Sequence, residues 1–88
     1  MYRIILSKQA EKYLVSLLKS ELNAYKKALS LIKEISEHPF TETGKPELLK
    51  HDLSGKWSRR INREHRLIYS IADTVAYIHS AKGHYEKE

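Results

Sequence analysis

Between positions 10 and 18, Ala10, Tyr13, Leu14, Leu17 and Leu18 recur at three- and four-residue spacing and trace one stripe of a helix. A second stripe, Ala24, Ala28, Leu31, Ile32 and Ile35, follows a polar break near Glu21–Asn23. Ser7 stands where a helix N-cap belongs, without a capping box, because the third helical position is Ala10. His38-Pro39 closes the second stripe, since the residue before proline is pushed out of helical geometry. Ahead of both, YRIIL at positions 2–6 is β-branched and apolar without clean alternation, as in a strand partly covered on both faces. The pattern predicts one strand and then two antiparallel helices joined by a short turn.

After residue 55 the period changes from helical to alternating. WSRRIN, HRLIYSIA and TVAYIHSA are separated by polar breaks at Asn62–His65 and Ala72–Thr74, which predicts three antiparallel strands in a meander. In the middle strand Leu67, Tyr69 and Ile71 share one face, and Arg66, Ile68 and Ser70 the other. A two-residue turn at Asp73-Thr74 sets Tyr69 and Ile71 beside Ile78 and Ala76, making an apolar face for the helices. Arg66 then points to the opposite face with Tyr77 and His79. The register of WSRRIN stays open, because a bulge at the Arg63-Glu64 turn would flip it. The intervening stretch 40–55, FTETGKPELLKHDLSG, is punctuated by Gly44, Pro46 and Gly55 and has no convincing period. Long loops of this kind in compact domains tend to be functional. The order βααβββ predicts an α+β fold over residues 1–88, one domain with a helical hairpin packed on one face of an antiparallel sheet.

Composition narrows the class. The absence of cysteine excludes a disulfide framework and a thiolate metal site. The N-terminal run YRIILS is too short for a signal peptide, and no stretch approaches the roughly 20 apolar residues of a membrane span. A cytoplasmic protein with no membrane association is expected. The formal net charge is +5, and residues 45–66 carry seven basic against three acidic side chains. Four of the five arginines lie within SRRINREHR, residues 58–66. Such a concentration favours a polyanion, because neutralising phosphates releases bound counterions. Nucleic acid is the expected partner, with an acidic protein the other class that such a surface serves.

The histidines at 38, 51, 65, 79 and 84 form no helical i,i+4 pair and no neighbouring ligand cluster, so neither metal nor cofactor is expected. A Gly-rich phosphate cradle and a nucleophile elbow are also missing. What remains suits phosphodiester cleavage: Glu47 and Lys50 in the loop, Arg66 on a strand, and His84-Tyr85 beyond the last strand. RNA carries its own nucleophile in the 2'-hydroxyl. A protein need supply only a base, an acid and positive charge for the developing phosphorane.

The run GKPELLKHDLSGKWSRRINREHRLIYSI, followed by KGHY, closely resembles the YoeB/Txe family of bacterial toxins within the RelE/ParE-like group. The likeness is strongest over residues 44–71 and 82–85. It implies a fold resembling microbial ribonucleases, cleavage of messenger RNA in the A site of the 70S ribosome, and a 5'-hydroxyl product. It also implies silencing by a cognate YefM/Axe-type antitoxin and a homodimer. By the same resemblance Glu47 is the general base, Arg66 the phosphate-stabilising charge and His84 the general acid, while Tyr85 orients the scissile nucleotide. Lys50, His51, Arg59, Arg60, Arg63 and Lys82 make up the expected RNA-binding set, the arginines lining the outer face of the sheet. The alternative is a RelE/ParE-like domain that binds RNA or inhibits a cellular target without cutting. Two departures from the family pattern are the tail Glu86-Lys87-Glu88 and the Lys82-Gly83 pair, where some members carry Arg-Tyr.

Overall fold

The computed structural model describes residues 1–40, 47–48 and 55–80, Glu47 by its backbone. Strand β1 (Arg3–Leu6) leads into helices α1 (Lys8–Ser20) and α2 (Leu22–Glu37), followed by strands β2 (Glu47–Leu48), β3 (Trp57–Arg60), β4 (Arg66–Ala72) and β5 (Val75–Ser80). The sheet order is β1-β5-β4-β3-β2, antiparallel except that β1 runs parallel to β5. The parallel edge follows from the chain path, since a strand returning beside its predecessor in the same direction needs a long crossover. Here that crossover includes both helices. The two-residue β2 lies inside the stretch expected to be irregular; two residues are too few to show a period.

Ser7 caps α1 as expected, its Oγ accepting from the Ala10 N–H at 3.0 Å while donating to the His79 carbonyl at 2.7 Å. One hydroxyl thus starts the helix and ties it to β5. The break between the helices is a single residue: Glu21, at φ −145° and ψ 74°, donates its N–H to Leu17 and accepts from Tyr25. His38 ends α2 at the predicted place.

Ala10, Leu14 and Leu17 of α1 and Ala24, Ala28, Leu31 and Ile35 of α2 pack onto Leu67, Tyr69, Ala76 and Ile78 of the sheet. The three alanines let the helices approach closely. Leu18, expected in the stripe, is 47% exposed, because it lies about 100° round the helix from buried Leu17. Tyr13 and Ile32 are partly buried against the core.

The β4–β5 hairpin has the predicted register, Tyr69 opposite Ile78 and Ile71 opposite Ala76, closed by Asp73-Thr74. Asp73 takes φ 60°, a left-handed conformation that aspartate tolerates better than most residues. Past Tyr69 the ladder shifts: Ile68 pairs with Ser80, leaving His79 as an extra residue in a β-bulge. On the other side, Ser58 pairs with Ile68 and Arg60 with Arg66, which settles the register of β3.

That register overturns one expectation. Arg59 does not line the outer face; it projects among the core residues and is fully buried. Alternation alone puts it there, one residue from outer-face neighbours on either side. Its Nε donates to the Tyr69 hydroxyl at 3.1 Å and its Nη2 to the His38 carbonyl at the end of α2. The Tyr69 hydroxyl in turn donates to the Pro39 carbonyl at 2.8 Å. Burial raises the Tyr69 pKa, the Arg59 hydrogen bond and charge opposing it, so the phenol stays a neutral donor.

Breaking this network strands buried polar groups. Tyr69→Phe should cost about 1–3 kcal/mol, since the Pro39 carbonyl and the Arg59 Nε each lose a partner. Arg59→Met should cost at least as much, about 3 kcal/mol. Urea unfolding checks both, and an unchanged midpoint in either variant contradicts the role given to the network.

Candidate functional site

On the face of the sheet away from the helices, alternation gathers Ser58, Arg60, Arg66, Ile68, Ser70, Tyr77 and His79. Its centre is closed, with Ser58 at 0% and Ile68 at 6% exposure. Half-buried Arg66 donates from Nη1 to the Ser58 Oγ at 3.1 Å. Ser58 is also the residue opposite which β2 sets the backbone of Glu47. The sequence-predicted base and phosphate-binding arginine therefore lie on strands two apart, bridged by a buried serine. Lys50, His51, Lys82, His84 and Tyr85 lie outside the described residues.

Arg60 stands directly opposite Arg66 across the β3–β4 ladder. Arg60 has no ion-pair partner among the described residues. The two side chains place positive charge on the same face, and guanidinium forks match phosphate geometry. Arg63 is exposed at the β3–β4 turn. The turn is held by the Asn62 Oδ1, which accepts from the N–H groups of Glu64 and His65, both at 2.9 Å. Three of the four clustered arginines thus face outward or sit at the turn; Arg59 alone is inside.

His65, next to Arg66, meets the helix elbow: its Nε2 lies 2.9 Å from the Glu21 Oε2. This contact ties the β3–β4 turn to the α1–α2 junction across 44 positions of sequence. With Glu64, these residues bring one potential ligand atom each within 4.8 Å of one another. The fold makes this grouping from residues that sequence spacing kept apart. A hydrogen bond between Nε2 and Oε2 already accounts for the close pair.

Sequence reasoning assigned no role to Ser58, Ser70 or His79. A serine in WSRR carries no chemical signal until the register shows which hydroxyl receives Arg66. His79 was legible as an outer-face residue, but its bulge was not. Its Nε2 lies 2.8 Å from the Ser70 Oγ. Burial and then the nearby Lys56 charge lower the His79 pKa from its ordinary value, which favours the neutral ring.

Comparison with known proteins shows the family and the fold. A family model for the YoeB-like toxin of bacterial type II toxin-antitoxin systems matches residues 6–85. The chain is 58% identical over 57 residues to Toxin YoeB of Synechocystis sp., an alignment covering 65% of this chain and 66% of that protein, just under two thirds of each. A YoeB-YefM complex from Staphylococcus aureus superposes with TM-score 0.84 at 38% identity, covering 97% of this chain and 99% of that one. A YoeB dimer from the same organism gives TM-score 0.85 at 39% identity, with 96% and 98% covered. Among the described residues no helix is long and apolar enough to cross a membrane.

The lowered His79 pKa has a thermodynamic consequence. As pH falls below the ordinary imidazole value of 6.5, the unfolded chain takes up a proton that the folded chain resists. Stability from this group is therefore present at neutral pH and lost on acidification. The urea midpoint should fall from pH 7 towards pH 5, and His79→Asn should flatten that fall; parallel profiles for the two proteins would show that His79 does not contribute.

Proposed function

The chain belongs to the YoeB-like toxin family of bacterial type II toxin–antitoxin systems, and from that premise we propose that it is an endoribonuclease acting on messenger RNA in the ribosomal A site. The observation that carries the reading is the Arg66–Ser58 contact opposite Arg60, with the Glu47 backbone paired to the same serine. In the reaction, Glu47 removes the proton of the 2'-hydroxyl as that oxygen attacks the adjacent phosphorus. Arg66 stabilises the negative charge of the phosphorane. The bond to the 5'-oxygen breaks, and His84 protonates the departing oxygen, leaving a 2',3'-cyclic phosphate and a 5'-hydroxyl. Tyr85 orients the scissile nucleotide, and Lys50, His51, Arg60, Arg63 and Lys82 hold the RNA.

Glutamate with an ordinary pKa near 4.3 is a weak base for a sugar hydroxyl. Most of the rate must then come from holding the attacking oxygen in line with the leaving oxygen, where effective molarities reach roughly 10⁵ M or more. A ribosome that already grips the message supplies that order; free RNA does not. This is why the substrate is proposed to be the translated message. The chain acts in the cytoplasm as a homodimer and is silenced by a cognate YefM/Axe-type antitoxin. Support comes from the Staphylococcus aureus relatives, solved as a dimer and as a YoeB-YefM complex.

The test is single-turnover cleavage of a message on purified ribosomes. Arg66→Ala should slow cleavage by roughly 10²–10³, the usual value of one oxyanion-stabilising group, with an unchanged circular dichroism spectrum. His84→Ala should slow it by roughly 10²–10⁴, as expected for a general acid. If the unaltered chain binds the ribosome and blocks translation without cutting the message, a non-cleaving binding domain is the correct reading.

A further inference from the structure

The reaction proposed above leaves one polar pair on the same face of the sheet without a task. Ser70 of β4 and His79 of β5 are joined side chain to side chain at 2.8 Å. Alternation turns the His79 ring to the outer face, and there the bulged residue meets Ser70. The position is fixed from behind as well, since the His79 carbonyl accepts from the Ser7 Oγ that caps α1. Tyr77 lies directly opposite Ser70 on the same face, its side chain partly open to solvent. From Arg66, His79 is about two residues along the strand, roughly 7 Å, and one strand spacing, roughly 5 Å, across. A nucleotide adjoining a linkage held at Arg66 comes within that range.

The chemistry of the pair selects among parts of a nucleotide. A neutral imidazole has one donor and one acceptor nitrogen. If Nε2 accepts the serine proton, the ring offers Nδ1–H and the serine offers oxygen lone pairs. If Nε2–H donates instead, the ring offers a bare Nδ1 and the serine offers its O–H. Either way the pair presents one donor and one acceptor side by side. A phosphate presents only acceptors and is better held by cationic donors, of which this face already has two opposed arginines. A nucleobase edge presents donors and acceptors together, and its π-face stacks on an aromatic ring. Burial and then the Lys56 charge lower the His79 pKa, which favours the neutral form that this pairing needs.

We propose that Ser70, His79 and Tyr77 form a nucleobase subsite next to the phosphate position at Arg66, which biases the base adjoining the linkage that is cut. The proposal rests on the ribonuclease reading given above. It deepens that reading by giving the chain a base-reading element distinct from the groups that cut.

The experiment is cleavage, on purified ribosomes, of a message pool randomised around the cut site, with the new 5' ends sequenced. It is run with the full chain and with Ser70→Ala, His79→Ala and His79→Gln. Ser70→Ala removes one oxygen and His79→Gln keeps a donor and an acceptor, so the pair is tested without a large change in packing. The expected result is a base preference at one position in the unaltered chain. Ser70→Ala and His79→Ala should flatten it at that same position by about fivefold or more, the lower end for a paired base contact. His79→Gln should alter the preferred base rather than abolish preference. Unchanged base distributions in the variants, whatever their total rates, overturn the subsite and leave the ribonuclease reading intact. The same holds if the unaltered chain cuts without preference. Absence of any cutting by the unaltered chain overturns both.

Discussion

A guanidinium with no exposure to water sits on the helix side of the sheet, and the arrangement of β3 and β4 depends on how it is satisfied. An ion taken out of water is costly unless several donors and acceptors replace its hydration. Arg59 finds the Tyr69 hydroxyl and the His38 carbonyl, and Tyr69 reaches the Pro39 carbonyl. These are backbone groups at the end of α2, where helix carbonyls lack intrahelical donors and the helix dipole is negative. The network therefore does three things with one cation: it satisfies a carbonyl at the end of α2, satisfies a buried tyrosine and fixes where β3 lies against α2. A one-residue slip of β3 would turn the charge to solvent and bury Ser58 and Arg60 among leucines. The register is specified strongly for that reason.

Fixing Arg59 inward decides what faces outward. Ser58 and Arg60 are its neighbours, so both take the opposite face; the β3–β4 ladder then puts Arg60 across from Arg66. The two guanidinium groups concentrate positive charge on one face, in a form that matches the geometry of a phosphate. The face is not simply a charged surface, because buried Ser58 and Ile68 lie at its centre and the Ser58 hydroxyl orients Arg66 through a directed hydrogen bond. Positive charge with fixed direction is what a phosphorane needs, since donors aimed in advance cost no reorganisation during reaction.

Much of the fold was legible because its elements obey single periods. The Ala10–Leu14–Leu17 and Ala24–Ala28–Leu31–Ile35 stripes, the Ser7 cap, the stop at His38-Pro39 and the Asp73-Thr74 turn all follow from local rules. The failures share a cause as well. The burial of Arg59, the Glu21–His65 contact and the two-residue β2 are set by partners far along the chain. A composition argument treats four clustered arginines as equivalent, and only pairing across strands separates the buried one from the others. The extra residue at His79 is likewise invisible locally, because TVAYIHSA alternates well enough without it. Of the candidate site, the resemblance supplied residue roles, whereas geometry supplied the connection between Glu47, Ser58 and Arg66 that no spacing contained.

The long-range ties also position the outer face of this small domain. Contacts that join the sheet to the helices among the described residues include Ser7 to the His79 carbonyl, Glu21 to His65, and Arg59 to the His38 carbonyl. Each lies at or beside a residue of the outer face. His65 precedes Arg66, Arg59 lies between Ser58 and Arg60, and His79 carries the tie on its own backbone. Because successive strand residues point to opposite sides, a strand residue anchored inward fixes the direction of its outward neighbour. Stability and function are then not separate sets of residues in this chain but alternate positions on the same strands. A substitution at an inward tie is felt on the outer face through one peptide unit, without the altered side chain reaching that face. The same alternation lets the outer face vary its bases and charges while the inner face keeps the fold.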